Sequence, residues 1–210
     1  MKGTNNKVTV AGEIVSEYAY SHKVMGEKFY TTVIKSARLS GTSDLIPVTI
    51  SERLISPTMN DTGTFVEITG EFRSYNDKEN GKLKLSVFAC DISFLEDAKN
   101  INDIELVGYI CKEPLYRTTP LGREISDVML AVNRDYGKSD YIPCIVWGRN
   151  ARFVENLAVG TKLKVNGRIQ SRKYHKKISE NEFETRIVFE MSVSKLEVLE
   201  DAGENSNGNW

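Results

Sequence analysis

The sequence contains few of the residues that build metal centres, disulfide frameworks and active sites. Its 210 residues include three cysteines and two histidines. Cys90, Cys111 and Cys144 are far apart and form no C-x-x-C spacing, which argues against a zinc site or a disulfide framework and fits a reducing cytoplasm. His22 and His175 lie in polar stretches, and no G-x-S-x-G, H-E-x-x-H or Gly-rich phosphate motif is present. We therefore expect no enzymatic activity, no metal and no cofactor.

Long apolar segments are also missing. No stretch approaches the roughly 20 apolar residues that span a bilayer. The first ten residues, MKGTNNKVTV, have no apolar region followed by a cleavage site. Apolar residues make up 40% and charged residues 27% of the chain, which is ordinary for a soluble protein. These features predict a cytoplasmic protein that does not contact a membrane.

A strong excess of one charge is absent from the chain as a whole, whose net charge is −1. The two halves nevertheless differ. Residues 1–97 carry two more acidic than basic side chains, whereas residues 98–199 carry four more basic than acidic ones. Local fields, and not the average, attract ligands. The second half is therefore the better candidate for an anionic partner.

The chain does contain an internal repeat. A shift of 96 residues aligns VTVAGEI with IELVGYI and SDLIP with SDYIP. After a slip of one residue, GTFVEITGEFRS aligns with GTKLKVNGRIQS. Two copies of this length indicate tandem domains and not a solenoid. We predict a first domain over 1–97, a linker over 98–103, a second domain over 104–200 and a disordered tail over 201–210.

Each copy is predicted to be all-β, because short segments with alternating apolar and polar residues are separated by Gly, Asn or Asp. Asn80 and Gly81 indicate a two-residue hairpin turn. In the second copy, residues 149–160 have helical periodicity, whereas Pro57 should shorten or prevent the equivalent helix in the first. Five strands with a helix between the third and fourth are the plan of the OB-fold, a small Greek-key barrel. Periodicity alone leaves another small barrel open.

One predicted strand, SDYIPCIVW, carries two different faces, because side chains alternate along a strand. The first face is apolar enough to be buried and consists of Ile142, Cys144 and Val146. The second face consists of Tyr141, Pro143, Ile145 and Trp147, and Arg149 follows shortly after it.

The second copy resembles the bacterial single-stranded DNA-binding protein family. The resemblance covers residues 104–199 and is most specific in CKEPLYRTT, LAVNRDY, YIPCIVWG and GRIQSRKY. It implies an OB-fold that coats single-stranded DNA with little sequence preference in replication, recombination or repair, at the nucleoid. Members of the family usually work as tetramers and recruit replication and repair proteins through an acidic tail. Here the tail is short and ends at Trp210.

The resemblance also implies a set of binding residues. Bases would stack on Tyr136, Tyr141, Trp147 and Tyr174, and this contact accepts any sequence because every base has a π-face. Basic side chains would neutralise phosphates. The basic residues in this prediction are Arg117, Arg123, Arg134, Arg149, Arg168, Arg172, Lys173, Lys176 and Lys177, the last five of which belong to a predicted long hairpin arm.

The first copy is an internal control for this assignment. Its buried-face residues are kept as Ile46, Val48 and Ile50, whereas the aromatic positions become Ser40, Leu45, Ser51 and Asp77. A requirement of the core should apply to both copies, so the aromatics of the second copy are predicted to be exposed. The first copy should bind DNA weakly or not at all. If the assembly needs four barrels, two per chain imply a homodimer.

Two other functions remain open at this stage. The chain could be a protein-interaction adaptor of a replication or primosome complex, because the first copy has lost the aromatic positions. It could also bind RNA, since OB-folds carry that function as well.

Overall fold

The structure, a computed structural model, describes residues 5–76, 81–177 and 183–200, with the backbone alone for 173–177 and 183–186. In the first half the strands are β1 (Asn6–Ile14), β2 (Ala19–Val24), β3 (Glu27–Ala37), β4 (Ser43–Ser51), β5 (Phe65–Asn76) and β6 (Leu83–Leu95). In the second half they are β7 (Ile101–Ile110), β8 (Leu115–Thr118), β9 (Glu124–Asn133), β10 (Ser139–Trp147), β11 (Lys162–Lys177) and β12 (Phe183–Leu199). Helix α1 (Gly148–Glu155) connects β10 to β11.

Each half closes into a barrel in the same way. In the first, β1 pairs with both β3 and β5, and β4 pairs in parallel with β6. In the second, β7 pairs with β9 and β11, and β10 pairs in parallel with β12. This confirms the predicted all-β fold of two tandem OB barrels with a helix in the second. Among the described residues of the first half, Pro57 lies in a segment of turns and no helix forms there.

The barrels contain one strand more than the predicted five. The short strands β2 and β8 pair with β3 and β9 at the two ends of the sheet. Every residue of β2 is exposed, so the strand has no buried face whose alternation could reveal it in the sequence.

Glycines kept in both copies mark the points where a strand turns from one sheet partner to the next. A Cβ at Gly12 would lie 2.3 Å from the carbonyl oxygen of Lys35, and one at Gly108 would lie 2.7 Å from that of Ala131. Both distances are shorter than any tolerated contact, so only glycine allows β1 and β7 to cross β3 and β9 this closely.

The buried face predicted from strand alternation is confirmed in both halves. Ile142, Cys144 and Val146 are each at most 1% exposed. Their counterparts Ile46, Val48 and Ile50 are fully buried.

The two halves join through β1 and β7, which pair antiparallel from Asn6↔Leu106 to Ala11↔Ile101. Strand β7 thus begins at Ile101, inside the segment predicted as linker. Because β1 belongs to one barrel and β7 to the other, their pairing makes one continuous twelve-stranded sheet.

Each half has an equivalent buried ion pair whose carboxylate accepts a hydrogen bond from across this junction. Asp140 is fully buried, accepts hydrogen bonds from the Arg134 guanidinium and accepts another from the backbone N–H of Ser74 in the first half. At the equivalent place, buried Asp44 pairs with Arg38 and accepts a 3.3 Å hydrogen bond from the N–H of Ser171 in the second half. The junction therefore has internal two-fold pseudosymmetry.

Two long hairpins, β5–β6 and β11–β12, extend from the barrels. Their pairing runs from Phe65↔Leu95 to Asn76↔Leu83 and from Lys162↔Leu199 to Lys177↔Phe183. The second hairpin is the predicted basic arm. The predicted turn residue Asn80 and the tail over 201–210 lie outside the described residues.

Candidate nucleic-acid interface

One face of the second barrel brings the predicted binding residues onto three adjacent strands. In the register, Ile145 of β10 lies beside Ser192 of β12, and Ser192 lies opposite Arg168 of β11. Directly paired residues project on the same side of a sheet. We call this surface the β10 face; it consists of Tyr141, Pro143, Ile145, Trp147, Arg168, Gln170, Arg172, Glu190 and Ser192.

The aromatic rings of this region are accessible. Tyr141 is 49% exposed, and Tyr136, on the turn between β9 and β10, is fully exposed. Trp147 is half-buried, and its indole Nε1 donates a 3.1 Å hydrogen bond to Ser192 Oγ. This bond holds one edge of the ring. Ile145 is the buried member of the β10 strand on this face, at 5% exposure.

Tyr136 has an unusual backbone for an aromatic residue. Its φ is +70°, in the left-handed region that disfavours side chains with a Cβ. Such a conformation costs about 1–3 kcal/mol, and residues that keep it cluster at binding sites. The turn therefore holds the Tyr136 ring in solvent at the cost of backbone strain that a glycine at this position would avoid.

Two arginines near Trp147 have no acidic partner in the described part of the chain. Arg149 follows Trp147 at the start of α1, and Arg123 immediately precedes β9, whose Ile125 pairs with Trp147. Both arginines are exposed. Their charges can therefore attract an anion beside the indole.

Other predicted arginines are already paired. Arg117 contacts Asp127 at 2.6 Å and 3.1 Å, and these hydrogen bonds raise the pKa of its guanidinium. Arg134 donates to Asp140 and to the carbonyl oxygen of Ser74, so it is part of the junction. A phosphate would compete with these partners, which makes both residues weaker candidates for DNA contact.

The arm carries the remaining candidates. Arg172 is exposed but lies 3.3 Å from Glu190, which also accepts a 2.8 Å hydrogen bond from Gln170. Burial lowers the pKa of the Arg168 guanidinium, and the nearby charge of Arg38 lowers it further. For Lys173, Tyr174, Lys176 and Lys177 the structure gives backbone positions on β11 only, so their roles stay predictions.

In the first half, neighbouring side chains cover or pair with the residues at the positions of Trp147, Arg149 and Ser192. Ser51, at the position of Trp147, is 8% exposed and donates a hydrogen bond to Glu27. Glu27 also pairs at 3.2 Å with Arg53, which corresponds to Arg149. The Arg73 guanidinium covers the ring of Phe88 at 3.7 Å, and Phe88 corresponds to Ser192.

Glu27 was not among the residues predicted from the sequence, although the repeat contains the signal. The same 96-residue shift places Glu27 on Arg123, so an acidic residue in one half stands where a basic residue stands in the other. The role of Ser192 could not be found this way, because its contact with Trp147 depends on the parallel pairing of β10 and β12.

Among the described residues, no helix is both long enough and apolar enough to span a membrane.

Comparison with known proteins identifies relatives of the second half. The model of the "Single-strand binding protein family" matches residues 101–197. Single-stranded DNA-binding protein 3 of Listeria innocua is 36% identical over 118 residues, which is 52% of this chain and 73% of that protein. Single-stranded DNA-binding protein 1 of Staphylococcus aureus is 36% identical over 115 residues, covering 51% of this chain and 66% of its relative. The chain thus spans about two thirds of the length of these curated relatives.

A solved structure extends the likeness to both halves at the level of fold. The wild-type single-stranded DNA binding protein from Thermus aquaticus superposes with a TM-score of 0.75 over 97% of each chain, at 20% identity. The fold, the β10 face and the identity to the Listeria protein agree: this chain belongs to the single-strand binding protein family.

Proposed function

We propose that this chain binds single-stranded DNA with little sequence preference, by stacking bases on accessible aromatic rings and neutralising phosphates with arginine. The observation that carries the proposal is the β10 face and its surroundings. Tyr136, Tyr141 and Trp147 are accessible there, and Arg123 and Arg149 lie beside them without an acidic partner among the described residues.

The chemistry of this surface suits a ligand of any sequence. Base-edge hydrogen bonds discriminate between sequences, whereas ring stacking does not. Each stacked base contributes about 1–3 kcal/mol, a value obtained from alanine substitutions in single-strand binding proteins themselves. Contacts between arginines and phosphates release counterions, so the affinity should fall steeply as salt rises.

The two halves are proposed to have different roles. In the first half Glu27 occupies the place of Arg123 and neutralises Arg53, and Ser51 replaces the indole. On the equivalent face that half has no aromatic ring at the positions of Tyr141 and Trp147, and the Arg73 guanidinium covers the ring of Phe88. We assign DNA binding to the second half and pairing to the first.

The decisive experiment is a titration with oligo-dT. The chain has two tryptophans, so Trp210→Phe should be introduced first to make Trp147 the sole indole. We expect oligo-dT to quench its fluorescence at low salt, and binding to weaken at high salt. Absence of binding at both low and high salt would reject DNA binding and favour the adaptor function.

Alanine at Trp147 tests the site itself. Because the substitution removes the stacking ring, we expect Trp147→Ala to weaken binding of a labelled oligo-dT by about 1–3 kcal/mol, measured by fluorescence anisotropy. Ser51→Ala, at the equivalent position of the first half, is the matched control and should leave the affinity unchanged. Equal losses in the two variants would contradict the division of roles.

A homodimer with four barrels is part of the proposal. One chain supplies two barrels joined through β1 and β7. Light scattering should then give a mass twice that of the 23.7 kDa chain. A monomer at micromolar concentration would remove this part of the proposal and leave DNA binding intact.

In the cell, we place the protein at the nucleoid, coating single strands during replication, recombination or repair. The acidic tail that ends at Trp210 is proposed to recruit partner proteins. Removal of residues 201–210 should then abolish partner capture and preserve oligo-dT affinity.

A further inference from the structure

The junction between the halves contains two clefts that the internal repeat makes equivalent. The Arg38 cleft is lined by Ser36, Arg38, Ser40, Asp44, Asn102 and Arg168, and has a volume of about 480 Å³. The Arg134 cleft, about 650 Å³, is lined by the corresponding Asn6, Glu71, Arg134, Tyr136 and Asp140, together with Arg73. Each cleft thus combines the β3–β4 or β9–β10 turn of one half with strands of the other.

One pair of equivalent positions in the two clefts carries opposite charges. The repeat places Glu71 where the other cleft has Arg168. In the Arg134 cleft, Glu71 pairs with Arg73 at 2.9 Å and Asp140 pairs with Arg134, so both guanidinium groups are neutralised. In the Arg38 cleft, Asp44 pairs with Arg38, and no described carboxylate pairs with Arg168. One positive charge is left over.

Arg168 also has a buried donor without a partner. Its Nη2 donates a 3.3 Å hydrogen bond to Gln170 Oε1, but its Nε is buried and makes no hydrogen bond to any described group. A buried polar group without a partner is costly and is rare in folded proteins. An oxyanion in the cleft would supply the missing acceptor and the missing negative charge together.

We propose that Arg168, assisted by Arg38, binds a phosphate group in the Arg38 cleft, and that this phosphate belongs to single-stranded DNA held on the β10 face. The inference rests on the proposed function and adds a contact that reaches the first half. The planar guanidinium fork suits phosphate, because adjacent N–H groups can donate to two of its oxygens.

The position of Arg168 connects the cleft to the stacking surface. Arg168 lies opposite Ser192, and Ser192 Oγ accepts the hydrogen bond of the Trp147 indole. Arg168 and Arg172 lie on the same face of β11, four residues or about 13 Å apart along the strand. A strand stacked on Trp147 could therefore continue along β11 and reach the cleft.

Arg168→Gln tests this inference, with Glu71→Gln at the equivalent position as control. Loss of one charge-assisted phosphate contact should weaken oligo-dT binding about tenfold and lower the slope of log affinity against log salt by about one. Glu71→Gln should cause no loss. Circular dichroism and the melting temperature should establish that both variants fold.

The outcomes separate this inference from the proposed function. If the wild-type chain binds oligo-dT and Arg168→Gln binds with the same affinity and salt slope, the cleft assignment is wrong and the proposed function stands. If the wild-type chain does not bind oligo-dT, the proposed function and the DNA assignment both fall. In that case, stabilisation of the wild type but not of Arg168→Gln by inorganic phosphate would identify a free-anion site.

Discussion

The indole ring of Trp147 is hydrogen-bonded at one edge and partly accessible to solvent. The hydrogen bond from its Nε1 to Ser192 Oγ fixes the ring orientation before any ligand arrives. A ring that is already oriented loses less side-chain entropy on binding than a freely rotating one. If a base stacks on Trp147 as proposed, Ser192 should favour binding without contacting the base.

A substitution at Tyr136 should affect the stability of the fold and the affinity for DNA in opposite directions. Glycine accepts a φ of +70° without strain, so Tyr136→Gly should keep or raise the melting temperature. The same change removes a ring that is proposed to stack on a base, and should weaken oligo-dT binding by about 1–3 kcal/mol. Differential scanning fluorimetry and anisotropy measure the two effects.

The control for this pair of measurements is Ser40→Gly in the first half. Ser40 occupies the equivalent turn and is exposed, so its replacement should alter neither quantity. A Tyr136→Gly variant with a lower melting temperature and unchanged affinity would show that the tyrosine is structural.

At the scale of strands, the close crossing of β1 over β3 depends on a single missing side chain. Gly12→Ala would place a Cβ 2.3 Å from the carbonyl oxygen of Lys35. Because this oxygen belongs to the backbone, the strands must move apart. We expect the free energy of unfolding to fall by about 1–3 kcal/mol in urea titrations.

Thr9→Ala, in the same strand and only partly buried, is the comparison for Gly12→Ala. It should change the free energy of unfolding by no more than about 0.5 kcal/mol. Similar effects from both substitutions would mean that β1 tolerates side chains at the crossing.

Strand faces could be read from the sequence wherever one side is buried. Alternation correctly assigned Ile142, Cys144 and Val146 to the core, since a slip of one residue would expose all three. It could not reveal β2, because a strand that is exposed on both sides has no such constraint.

Contacts between distant segments could not be read in this way. Asp44 and Asp140 look like ordinary turn residues in SDLIP and SDYIP, yet both are fully buried at the junction. Their partners Ser171 and Ser74 come from the opposite half and are fixed by the pairing of β1 with β7. Only the assembled sheet brings them together.

At the scale of the whole molecule, the junction joins two different barrels through equivalent contacts. Asn6 exchanges two 2.8 Å hydrogen bonds with the backbone of Phe72. Asn102 does the same with Ile169, at 2.6 Å and 2.8 Å. The surfaces around Trp147 and Ser51, in contrast, differ in ring content and charge. The chain has kept its internal symmetry at the junction and lost it at the candidate binding face.

Removal of a buried junction carboxylate should destabilise the molecule strongly. Asp140→Ala leaves the half-buried Arg134 without its partner and the N–H of Ser74 without an acceptor. We expect a loss of about 3–5 kcal/mol in the free energy of unfolding, measured by urea denaturation.

An exposed ion pair is the matched control for this loss. Asp127 pairs with Arg117 near the surface, and such pairs contribute about 0–1 kcal/mol. Asp127→Ala should therefore have little effect on stability. If it destabilised the chain as much as Asp140→Ala, burial at the junction would not be the cause.

The covalent connection between β6 and β7 changes how this pair of barrels can diverge. Only residues 96–100 separate Leu95 from Ile101, so the two barrels meet without a concentration-dependent encounter. In an assembly of identical subunits every substitution is copied onto each subunit. Here a substitution in one barrel is not copied onto the other barrel of the same chain. One barrel can therefore specialise in assembly while the other retains ligand binding, and the two stay together on dilution.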